Sequence, residues 1–211
     1  MDKRKREILA LGLLVVLGIC VAAGMMWYIM VGHNWNKAAS HIDDLVGSMD
    51  GYTVVVYDGT LPASKSTSGK RKPVKIDKAI ESYREKGASV ITLHLDDLKR
   101  YEDPMVVTKG SRRFGICACP GKYRYVVVRD KVADLMKHGA DFTMVIANKP
   151  DIKKGLLRHV DMVVLACDGR VGDGGQFIGP TFFVDAARKG SVQATIISPS
   201  GTVTAKTITS L

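Results

Sequence analysis

Six residues place a polar or nucleophilic side chain in one recurring setting. Asp58, Asp96, Asp97, Asn148, Cys167 and Asp168 each stand at or just past the end of an apolar run: VVVYD, VITLHLDD, FTMVIAN and MVVLACD. Short runs this rich in Val and Ile read as buried β-strands. Carboxylate and amide oxygens converging from several strand ends are donors for one hard cation, Mg, Mn or Ca. Ordinary strand-end polarity would place the same residue types with no ligand at all, because loops must solvate their backbone. No intact cofactor motif is present, so none is expected beyond that single divalent cation.

Positioning such groups requires a sheet, and the pattern supplies one. Strands are predicted over 52–59, 88–97, 140–150 and 161–169. Helices are predicted over 74–87, closing on Gly87, and 129–139, closing on Gly139. A hairpin over 104–120 turns at Lys109-Gly110. QFIGPTFFVDAA, SVQATIIS and TVTAKTIT give three closing strands. Strands alternating with helices imply an α/β fold with a largely parallel sheet and helices on its faces. The closing strands imply an antiparallel addition. Ligands in such sheets gather at the carboxyl ends of the strands.

The amino terminus predicts a membrane anchor. Ile8–Val31 is uncharged for 24 residues, about 36 Å as a helix, against a ~30 Å hydrocarbon core. Trp27 and Tyr28 mark its far end, and Lys3, Arg4, Lys5 and Arg6 precede it. The positive-inside rule then puts residues 1–7 in the cytoplasm and the rest outside. A cleaved signal peptide with Ala22-Ala23-Gly24 as its cleavage region is the competing reading. Residues 32–50 read as a tether and 51–211 as the folded domain.

The net charge is +10, but the basic residues are scattered. The tightest cluster, in KSTSGKRK (65–72), lies in a Ser/Gly-rich loop. No basic–aromatic interleaving accompanies it, so nucleic acid is not an expected partner. Cys117 and Cys119 share one face of a predicted strand and read as buried small apolar residues.

In its order of elements, 51–211 resembles the calcineurin-like metallophosphoesterases, especially the catalytic half of the 5′-nucleotidase group. The stretch KVADLMKHGADFTMVIANKPDIKKGLLRHVDMVVLACDG carries most of the likeness. The resemblance implies layered sheets flanked by helices, with two metal ions held by Asp-x-His, Gly-Asp, Asn-His, a strand-end His and Gly-His-x-His. Asp58 and Asp97 match carboxylates of that pattern. Thr60, Asp96, Asn148, Cys167 and Gly169 stand where it has His, Gly, His, His and His. Asp-Gly-Thr-Leu also resembles the end of the Asp-x-Asp-Gly-Thr motif of haloacid-dehalogenase-like phosphatases, whose nucleophile would fall on Val56. Lys149-Pro150 and VGDGGQ (171–176) resemble that family's later segments.

The resulting expectation is a membrane-anchored, extracytoplasmic pseudo-phosphoesterase. It would be non-catalytic and would bind an unidentified ligand or protein partner. The alternatives are a phosphoesterase with a site rebuilt from Asp58, Asp96, Asp97, Asp168 and Asp173, a degenerate haloacid-dehalogenase-like phosphatase, or a basic module binding polyanions through 65–72.

Overall fold

Alternation of side chains along each apolar run decides the architecture. In the computed structural model, residues 16–24, 47–62, 73–119, 125–148, 157–166, 171–172 and 174–209 are described. The chain divides into two units, Met1–Leu45 and Val46–Leu211.

The described part of the first unit is a helical stretch, 16–24. Among the described residues no helix is long and apolar enough to cross a membrane. This corrects the expected span over 8–31. Among the described residues the fold carries no transmembrane helix, and the membrane partnership, the signal anchor and the single-pass extracytoplasmic location are withdrawn with it. The interfacial Trp27 and Tyr28, the basic flank and most of the 32–50 tether lie outside the described residues.

In the second unit, β1 (Thr53–Asp58) leads through α1 (Ile76–Glu85) to β2 (Ser89–Leu93), its parallel neighbour. A hairpin follows, β3 (Met105–Lys109) and β4 (Arg112–Cys119), and then α2 (Tyr125–Lys137). The chain continues through β5 (Phe142–Ala147), β6 (Met162–Leu165), β7 (Gln176–Ile178), β8 (Thr181–Asp185), β9 (Val192–Ile197) and β10 (Val203–Ile208). Two sheets result, ordered β10-β9-β1-β2 and β3-β4-β5-β6-β8-β7. β4, β5, β6 and β8 run parallel in register, while β9 and β10 add to β1 antiparallel, as the closing strands were expected to do.

One face of every long strand enters the space between the sheets. Val55 and Tyr57 of β1, Ile91 and Leu93 of β2, Phe114 and Ile116 of β4, and Met144 and Ile146 of β5 belong to one buried cluster. The opposite faces are covered by helices. Val54 and Val56 pack with Ala79 and Tyr83 of α1. Cys117, Cys119, Val145 and Val163 pack with Val128, Val132 and Leu135 of α2. The order is helix, sheet, sheet, helix, and the period of two along the strands produces it. Cys117 and Cys119 are free and buried, as the sequence suggested. Burial pushes their thiols up from 9.0 to about 12 and about 11.

Three elements differ from the sequence reading. α2 begins at Tyr125 rather than 129, so Val126, Val127 and Val128 are helical. Their β-branched side chains disfavour helix only weakly, and of the three Val128 is buried against the sheet while Val126 and Val127 are exposed. QFIGPTFFVDAA is two strands, β7 and β8, paired antiparallel about Gly179-Pro180. The strand predicted over 88–97 ends at Leu93, which moves His94 onto a strand end.

Candidate functional site

The end of β1 is held from two directions. On one side the chain lies against the segment joining β8 to β9. The Gly59 N–H donates to the Ser191 carbonyl (3.0 Å), the Leu61 N–H to Ala187 (3.1 Å), and the Lys189 N–H to Leu61 (2.9 Å). A Cβ on residue 59 would stand 2.0 Å from the Arg188 carbonyl oxygen, so only glycine fits there. On the other side the Thr60 hydroxyl donates to the Ala166 carbonyl, 2.5 Å away at the end of β6 in the opposite sheet. The Gly and Thr of Asp-Gly-Thr-Leu are thus explained by a close backbone approach and a cross-sheet hydrogen bond.

Asp58 is the last residue of β1, and His94 to Asp96 follow directly on β2. Parallel pairing in register sets Tyr57 beside Leu93, so both strands deliver their polar ends to one place. Beyond Leu93 the chain turns. The His94 N–H donates to the buried Tyr101 hydroxyl (2.9 Å), and a 3-10 turn follows over Leu98–Tyr101. The outcome is a cleft of about 380 Å³ lined by Asp58, Gly59, Thr60, Leu93, His94, Leu95, Asp96 and Lys189.

Its charges interact. Asp58 is exposed along much of its side chain, yet its carboxyl is held above the ordinary value of 3.8. Lost hydration is the largest cause. The negative charges of Asp96 and of Asp77, in the first turn of α1, add to it, and His94 opposes it.

The sequence candidates divide accordingly. Asp58 and Asp96 share the cleft. Asp97 is exposed at the start of the 3-10 turn and does not line it. Asn148 follows β5 in the other sheet, half-buried and outside the cleft lining. Cys167, Asp168, Gly169 and Asp173 lie outside the described residues, as do Lys149-Pro150 and the basic loop 65–72. Sequence reasoning missed two cleft residues. His94 was placed inside a strand, although the change from VITL to polar residues was available as a signal. Lys189 carries no local signal, because only the β8–β9 connection brings it to β1. Val56, where the haloacid-dehalogenase nucleophile would fall, is sealed between β1 and α1.

Among the described residues no group of three or more His, Cys, Asp or Glu side chains can hold a metal. A binuclear centre therefore has no ligand set among them. The donor chemistry of Asp58 and Asp96 fits a different case. Mg²⁺ commonly takes one or two carboxylates and fills its shell with waters and ligand oxygens.

No protein-family model matches the chain, and no curated protein matches it. Among solved structures, the crystal structure of Chaetomium thermophilum Vps29 matches at 15% identity, covering 78% of this chain and 100% of that one, with a TM-score of 0.26. At that score the match bears on neither fold, activity nor ligand.

Proposed function

We propose that the cleft between the ends of β1 and β2 is a cation-assisted binding site for a small anionic ligand of the phosphate-ester class. Asp58 and Asp96 are the protein ligands of one divalent cation, and Lys189 faces the anion. The supporting observation is the pair of carboxylates delivered by two parallel strands to one cleft, where the charge of Asp96 helps to raise the Asp58 carboxyl. A cation between them offsets that repulsion, and Lys189 supplies a positive charge on the same lining. The bound cation would neutralise ligand charge and polarise a phosphoryl oxygen. His94 can donate to a ligand oxygen in either protonation state. The reading replaces a membrane-anchored module with a domain defined by its own cleft, and it is one of binding rather than turnover.

Metal-stripped full-length chain titrated with Mn²⁺, alone and with inorganic phosphate, tests it. One Mn²⁺ per chain is expected, held more tightly with phosphate, and lost in Asp58→Asn and Asp96→Asn. p-Nitrophenyl phosphate should be bound without release of nitrophenol. Absence of Mn²⁺ binding, or binding indifferent to both substitutions, would refute the reading. Nitrophenol release abolished by Asp58→Asn would convert it to a phosphoesterase with a rebuilt carboxylate site.

A further inference from the structure

We infer that Thr60 is the positioning residue for Asp58, acting through its cross-sheet bond to β6. The inference rests on the cation-binding reading of the cleft. Thr60 is two residues past Asp58 and lines the same cleft. The segment 59–61 is fixed on one side by backbone bonds to 187–191, all within the connection after β8. Asp58 itself ends the β1–β9 ladder opposite Val192, on that same side. The Thr60 hydroxyl ties the segment to the opposite sheet by reaching the Ala166 carbonyl at 2.5 Å.

The acceptor is itself fixed. The Ala166 N–H donates to Ala147 at the end of β5 (2.9 Å), and Ala166 is buried. One chain of bonds therefore runs from the floor of the six-stranded sheet to the residue that follows Asp58-Gly59. Groups that orient a metal-binding carboxylate in this way typically govern affinity without touching the metal. The hydroxyl proton is committed to Ala166, so toward the cleft Thr60 can only accept a hydrogen bond. That leaves it no donor for an anionic ligand and assigns it to placement rather than recognition.

Thr60→Val preserves shape and removes the hydroxyl, while Thr60→Ser keeps it. Mn²⁺ affinity of the full chain should fall about tenfold in Thr60→Val and stay within about twofold in Thr60→Ser. Wild-type affinity in Thr60→Val, or equal losses in both variants, would overturn the inference. If the wild type itself takes no Mn²⁺, the cation reading falls, and amide exchange decides the positioning claim separately. Exchange at Gly59 and Leu61 should then be about tenfold faster in Thr60→Val and unchanged in Thr60→Ser, as expected when local opening loses one hydrogen bond. Unchanged rates in Thr60→Val would overturn it.

Discussion

The carboxyl ends of β1 and β2 and those of β5 and β6 hold equivalent places, each a parallel pair in its own sheet, and they end in opposite ways. β1 and β2 release Asp58, His94 and Asp96 into a cleft. β5 ends on Ala147 and β6 leads into Ala166, both buried and tied by the ladder: Ala166 N–H to Ala147 at 2.9 Å, Ala186 N–H to Leu165 at 2.8 Å. A strand end is therefore not a site by position alone. It becomes one where β1 and β2 part beyond Tyr57 and Leu93 and their polar side chains face open space. Buried alanines at the ends of β5 and β6 serve instead as an anchor for Thr60.

Substituting the core between the sheets, on which both strand ends rest, should cost far more stability than substituting the open cleft. Phe114 is fully buried between the sheets, tilted against Phe142 with ring centroids 5.6 Å apart. Phe114→Ala should lower the unfolding free energy by about 3–5 kcal/mol. Asp96→Asn, exposed in the cleft, should change it by less than about 0.5 kcal/mol. Urea denaturation of both variants measures this directly. Comparable losses would mean that the cleft is part of the packed core and that the contrast is false.

Gly59 lies at the junction of the two regimes. The Arg188 carbonyl it meets is backbone and cannot rotate away. Gly59→Ala should cost about 1–3 kcal/mol, in the range of overpacking, and weaken Mn²⁺ binding as well, since the end of β1 must shift. A loss of stability with unchanged Mn²⁺ affinity would show that Asp58 is placed independently of residue 59.

The same contrast explains what the sequence could disclose. Strand faces are set by a period of two within a few residues, so VVVYD, FTMVIA and MVVL were readable, and so was the antiparallel ending. Asp58 and Asp96 were found because an acid after an apolar run is a local signal. The split into two facing sheets was implied only by family resemblance, since pairing across long sequence separations leaves no local trace. Lys189 and the partner of Thr60 were invisible for that reason: each depends on a contact more than 100 residues away along the chain. Asn148 and Asp97 had the right local pattern but belong to another strand end and to a turn. The anchor expectation rested on an uncharged run with its aromatic and basic flanks, and no described helix is long and apolar enough to cross a membrane.

The smallest effect is the sharpest test of the open region. The Asp58 carboxyl is raised above 3.8, first by lost hydration, then by Asp96 and Asp77, against His94. A carboxyl raised on folding binds more protons in the native state than in the unfolded chain. Stability therefore falls as pH rises from 3.8 through the raised value, and stays lower above it. Asp58→Asn removes that penalty at neutral pH. Because the group is exposed and screened, the metal-free variant should gain only a few tenths of a kcal/mol, roughly 1 °C in Tm. The gain should disappear well below 3.8, where Asp58 is protonated in both states. Saturating Mn²⁺ should reverse the order, since a ligand at about 100 times its Kd stabilises the native state by about 2.7 kcal/mol, and only the wild type has a site for it. Thermal melts of both proteins at neutral and acidic pH, with and without Mn²⁺, should therefore cross. A metal-free wild type more stable than Asp58→Asn would make Asp58 a structural residue like Ala147, and the two strand ends would then differ only in exposure.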